Sequence, residues 1–115
     1  MQLIYKNNKA EKQFSSKYIK SWRYPEQVTK RLLAIENYML SASSLQDIAA
    51  YIPYHFERLK GNRKDEWSIR VGSTGYRVTL IPCDELKREI SSGDIIARCK
   101  YIKIVKITEV SNHYE

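Results

Sequence analysis

Apolar residues recur at helical spacing in the first half of the chain and at period two in the second half. Gln2-Leu3-Ile4-Tyr5 is a short apolar run that predicts a first strand, with Asn7-Asn8 opening a helix. From Lys9 to about Trp22, Ala10, Phe14, Tyr18 and Trp22 repeat in i+4 steps along one helical face. Lys9, Lys12, Lys17, Lys20 and Arg23 fall mostly on the polar side of that face. Tyr24-Pro25-Glu26 breaks the helix and restarts it. Proline fits a first helical turn, where its missing N–H costs nothing, and Glu26 complements the dipole. The second helix extends to about Ala42 on a stripe of Val28, Leu32, Ile35 and Met39, widened by Leu33 and Leu40. Two antiparallel helices joined by a short turn are therefore expected. Ser44 begins a further helical turn that runs through Ala50, and Pro53 stops it.

Beyond Tyr54 the alternation is that of strands. His55 to Lys60 forms one, closed by Gly61-Asn62. Glu66 to Val71 forms the next, with Trp67, Ile69 and Val71 opposite Ser68 and Arg70. Gly72-Ser73-Thr74-Gly75 is a hairpin signal. Tyr76 to Ile81 follows, with Tyr76, Val78 and Leu80 opposite Arg77 and Thr79, and Pro82 ends it. Asp84 to Ala97 is polar and predicts a loop or a weak short helix. Cys99 to Val110 predicts a last strand, apolar on both sides and so inside the sheet. The expected fold is α+β: a helical hairpin on one face of an antiparallel sheet, one domain over residues 1–115.

Composition narrows the function classes. The 115 residues hold 20 Lys and Arg against 13 Asp and Glu, a formal net charge of +7. Residues 1–43 carry eight basic and three acidic side chains, whereas residues 84–115 carry six of each. Such a balance favours a polyanionic partner, either nucleic acid or an acidic protein, over solubility alone. No stretch reaches the roughly 18 apolar residues of a membrane helix. The start lacks the apolar core of a signal peptide, which points to the cytoplasm. Cys83 and Cys99 read as buried thiols rather than a disulfide or zinc framework.

Four cations are fixed by the strand pattern. Lys60 and Arg63 flank the turn after the first strand of the meander. Arg70 and Arg77 lie on adjacent strands, each opposite its strand's apolar residues, so both are expected on the non-helical face. Like charges so close are unfavourable unless an anion lies between them, and arginine suits bidentate phosphate binding. The alternative is a solvated face with scattered cations. His55 and His113 are the only histidines; the exit of the last strand is expected to bring His113 and Tyr114 near the arginines. The carboxylates of Asp65-Glu66 and Asp84-Glu85 sit at turns and are expected to face water. Gly-rich phosphate loops, nucleophile elbows and His-Glu-x-x-His zinc motifs are missing from the sequence.

The run from His55 to Arg63 with Leu59-Lys60-Gly61-Asn62-Arg63, then Trp67-Ser68-Ile69-Arg70-Val71, then Tyr76-Arg77-Val78, resembles the core of the plasmid-maintenance killer proteins. These are the HigB-type toxins of the RelE/ParE superfamily. The closing Glu109-Val110-Ser111-Asn112-His113-Tyr114-Glu115 resembles the end of one branch, although many members end in Asp-Tyr-His order where this chain has His113-Tyr114. The resemblance implies a RelE-like fold and an mRNA endoribonuclease working on the ribosome. It implies a cognate antitoxin, a small helix-turn-helix protein, through which alone the toxin would reach operator DNA. Lys60, Arg70 and Arg77 would be basic catalytic residues, with Arg63 a weaker match. His113 or Tyr114 would act as acid or base, with Lys60 or His55 in reserve. Arg63 and His55 would bind RNA, Lys9, Lys12, Lys17, Lys20 and Arg23 would contact its backbone, and neither metal nor cofactor is implied. Two other readings stay open: a ParE-like inhibitor of gyrase, and a non-catalytic module that binds nucleic acid or protein.

Overall fold

The computed structural model describes residues 1–91 and 93–112. Five strands form one sheet: β1 (Gln2–Tyr5), β2 (Glu57–Arg58), β3 (Trp67–Arg70), β4 (Tyr76–Cys83) and β5 (Ile104–Asn112), in the order β1-β5-β4-β3-β2. β2, β3, β4 and β5 pair antiparallel, while β1 joins the outer side of β5 in parallel. The sheet is thus mostly, not wholly, antiparallel. β5 lies inside the sheet, between β1 and β4, as its doubly apolar pattern predicts. Four helices accompany the sheet among the described residues: α1 (Asn8–Phe14), α2 (Glu26–Ser41), α3 (Leu45–Ala50) and α4 (Ile95–Arg98). The chain is mixed α+β.

Local chemistry sets the helix starts. Asn7 caps α1, its side chain accepting the Ala10 N–H at 2.8 Å. Ser44 caps α3 by accepting from Gln46 N–H. Where helical periodicity runs on to Trp22, however, α1 stops at Phe14. Ser15 turns extended, and the Ser16 N–H is taken at 2.9 Å by the buried Glu36 carboxylate of α2. A 3-10 turn at Ile19–Trp22 follows, so of the i+4 stripe only Ala10 and Phe14 are buried; Trp22 is 38% exposed. The strand expected over His55–Lys60 shrinks to Glu57–Arg58. Cys99–Tyr101 is a 3-10 turn, and the last strand starts only at Ile104.

Val28, Leu32, Ile35 and Met39 of α2 share one core with Phe14, Leu45, Ile48, Trp67, Ile69, Val71, Val78, Leu80, Val105, Ile107 and Val110. Cys83 and Cys99 are buried free thiols, and burial pushes both pKa values up. Gln13 closes the edge of β5 beyond the end of β1. Its Nε2 donates to the Val110 carbonyl (3.1 Å), and the Val110 N–H donates to its Oε1 (3.2 Å). No helix among the described residues is long and apolar enough to cross a membrane.

The β3–β4 hairpin turns through Gly72, whose φ is +55°. A Cβ built there would meet the Arg31 guanidinium of α2 at 2.6 Å. Gly72→Ala adds left-handed strain of roughly 1–2 kcal/mol and displaces Arg31. Thermal denaturation is expected to show a lowered Tm, and an unchanged Tm would refute the account.

Candidate functional site

Alternation along β3 and β4 carries Trp67, Ile69, Val78 and Leu80 into the core and leaves Arg70 and Arg77 on the other face. The two arginines are direct cross-strand partners, the closest relation a sheet offers. Uncompensated, such a like-charge pair costs roughly 0.2–1 kcal/mol. No ion pair among the described residues engages either guanidinium. Both line one open cavity of about 300 Å³, whose wall also includes Glu57, Ser68, Ser73 and Tyr76. Arg77 Nε is buried without a hydrogen-bond partner among the described residues. A buried donor left unpaired costs roughly 1–3 kcal/mol. Two planar donor forks suit an anion with several oxygens, such as a phosphodiester.

Neither a protein-family model nor a curated protein matches this chain.

A carboxylate stands in the same wall. Glu57 is the register partner of Ser68, and its Oε2 lies 3.4 Å from His55 Nε2. His55 is held at a φ of +46°, unusual for a residue with a Cβ, where the 3-10 turn Ile52–Tyr54 gives way to β2. Phe56 stacks on Trp67 at 4.8 Å and Arg58 lies over the same indole at 5.1 Å, which leaves Glu57 for the arginine face. Sequence reasoning missed Glu57. Its place between Phe56 and Arg58 in an alternating run was the available signal.

The other expected residues divide. Lys60 is exposed and lies outside the cavity wall. Arg63 is bound to carboxylates: Nε and Nη2 donate to Glu66 at 2.8 Å each, and Nη1 pairs with Glu109 at 2.9 Å. Lys9 and Arg23 line a second cavity, whereas Lys12, Lys17 and Lys20 are exposed outside both. His113 and Tyr114 lie outside the described residues.

Glu66 does not face water as its turn position suggests. Its side chain is 14% exposed, bound to Arg63 and accepting from Thr108 Oγ1 at 2.6 Å. Thr108 also meets Thr79 Oγ1 at 2.6 Å and is the extra residue of a bulge between β4 and β5. Hydrogen bonding to Arg63 and then to Thr108 holds the Glu66 carboxyl below its ordinary value of 4.5, against the opposing effect of burial. A carboxyl lowered in the folded state stabilises the fold above its unfolded pKa, and that contribution is lost as pH falls through the folded value. Stability is therefore expected to decline below about pH 4.5. Melting curves from pH 7 to pH 3 should show a weaker decline in Glu66→Gln; equal declines would exclude this linkage.

Proposed function

We propose that the chain is the toxin of a type II toxin–antitoxin pair: a RelE-like, HigB-related endoribonuclease that cuts messenger RNA on the ribosome. One observation carries this reading above the others. Arg70 and Arg77 face each other across β3 and β4 in one open cavity, with no ion pair to either among the described residues. The Leu59-Lys60-Gly61-Asn62-Arg63, Trp67-to-Val71 and Tyr76-Arg77-Val78 runs, and helical segments preceding a mostly antiparallel sheet, agree with it.

The chemistry follows from what RNA cleavage needs. The 2′-oxygen attacks the adjacent phosphorus in line, forming one P–O bond while the bond to the 5′-oxygen breaks. Arg70 and Arg77 neutralise the charge that gathers on the phosphoryl oxygens. Glu57 takes the 2′ proton, with the His55 imidazole orienting the carboxylate. The departing 5′-oxygen takes a proton from a general acid, a part for which the sequence offers His113 and Tyr114. The products carry a 2′,3′-cyclic phosphate and a 5′-hydroxyl. The exposed Lys12, Lys17 and Lys20 contribute salt-sensitive contacts to ribosomal RNA backbone. The cognate antitoxin is an acidic-faced protein that covers the arginine cavity.

The test is to translate a defined mRNA in an extract with and without the protein and to map the new ends. In-frame cuts at ribosome-occupied codons are the expected result. Intact mRNA with a supercoiling defect would replace this reading with gyrase inhibition. Intact mRNA with normal supercoiling would leave a binding module.

A further inference from the structure

A second cavity, of about 360 Å³, adjoins the arginine site. Tyr76 belongs to both walls, and Ser111, which lines the second, is the register partner of Arg77 in the first. The second cavity is aromatic and basic. Trp22 and Tyr24 have ring centroids 6.4 Å apart, and Tyr24 meets Tyr76 edge-on at 5.6 Å. The Tyr24 hydroxyl donates to the Gln13 carbonyl at 3.0 Å, which ties the ladder to α1. Lys9 and Arg23 add two cations, and Glu109, the one acid on the described wall, is paired with Arg63. Trp22 stays 38% exposed at the mouth.

Aromatic faces beside cations are the combination that binds unpaired bases with their phosphates. The geometry disfavours the other occupant that a sheet edge invites, an added peptide strand. Gln13 already occupies both the N–H and the carbonyl of Val110 along that edge.

We infer that this groove is a stacking subsite for one base of single-stranded RNA, neighbouring the phosphate that Arg70 and Arg77 hold. The base lies on Trp22, and the backbone beside it meets Lys9 and Arg23. The inference deepens the nuclease reading and rests on RNA being the ligand of the arginine cavity.

The test measures binding of a short 2′-O-methyl oligoribonucleotide, which lacks the attacking hydroxyl, to the full chain. Trp67 is buried, so quenching of intrinsic fluorescence reports chiefly on Trp22. Saturable quenching is expected, and anisotropy of the labelled oligonucleotide should show Trp22→Ala weakening binding on the order of tenfold. Trp22→Phe, which keeps a ring, should retain most of the affinity. Lys9→Ala and Arg23→Ala should each flatten the salt dependence by about one phosphate contact. Wild-type affinity in Trp22→Ala, or quenching by an acidic peptide and not by the oligonucleotide, would overturn the inference. The two proposals fail separately. Trp22-dependent binding without mRNA cleavage would sink the nuclease and keep the groove, whereas cleavage with wild-type binding in Trp22→Ala would do the reverse.

Discussion

Replacing Arg77 by alanine is expected to lower mRNA cleavage by about a hundredfold to a thousandfold, the usual cost of removing one preorganised donor to transition-state charge. Arg70→Ala should act in the same direction, and the double variant should lose little more, because the two guanidiniums grip one phosphate as a unit. The informative companion is stability. Arg70 and Arg77 are opposed in register without an ion pair among the described residues, so removing either charge relieves repulsion. Arg77→Ala also removes the buried Nε, which is unpaired among the described residues. The inactive variants should therefore melt at or above the wild-type temperature. Loss of cleavage together with a lowered Tm would mean that the arginines serve the fold and not the phosphate. Mapped mRNA ends and a thermal melt on the same preparations decide between these outcomes.

Phe14→Ala is expected to destabilise the protein by about 3–5 kcal/mol. Phe14 is fully buried at the end of a helix only seven residues long. So short a helix has little stability of its own and depends on the side chains that dock it. Loosening α1 would also free Gln13 from the edge of β5 and shift Lys9 and the Tyr24 anchor, so oligonucleotide binding should weaken with it. Equilibrium urea unfolding measures the first effect. A change below about 1 kcal/mol would show that α1 is held mainly by its polar contacts.

Elements whose cause is local were legible in the sequence. Asn7 and Ser44 as helix caps, the α2 stripe, the Gly72–Gly75 turn and the alternation of β3 and β4 each depend on neighbours a few residues away. The facing of Arg70 and Arg77 followed from alternation plus one tight turn. The errors arose where a distant partner intervened. Glu36 captures the Ser16 N–H and α1 ends early, so Trp22 leaves the core stripe for the mouth of a groove. Glu66 looked like a solvated turn residue, yet Thr108 of β5 reaches it, and Arg63 of the same turn is held between Glu66 and the β5 carboxylate of Glu109 and so diverted from any phosphate.

By itself, the sequence determined an α+β chain, a basic first third and two arginines on one face of a hairpin, because period and turn chemistry are written in adjacent residues. Only the tertiary structure decided that Glu57, with His55 beside it, joins those arginines while Lys60 stays outside their cavity, and that Tyr24, next to Trp22, meets Tyr76 across the fold. Those groupings depend on strand order, register and the early end of α1, which are set by contacts between residues far apart in the chain.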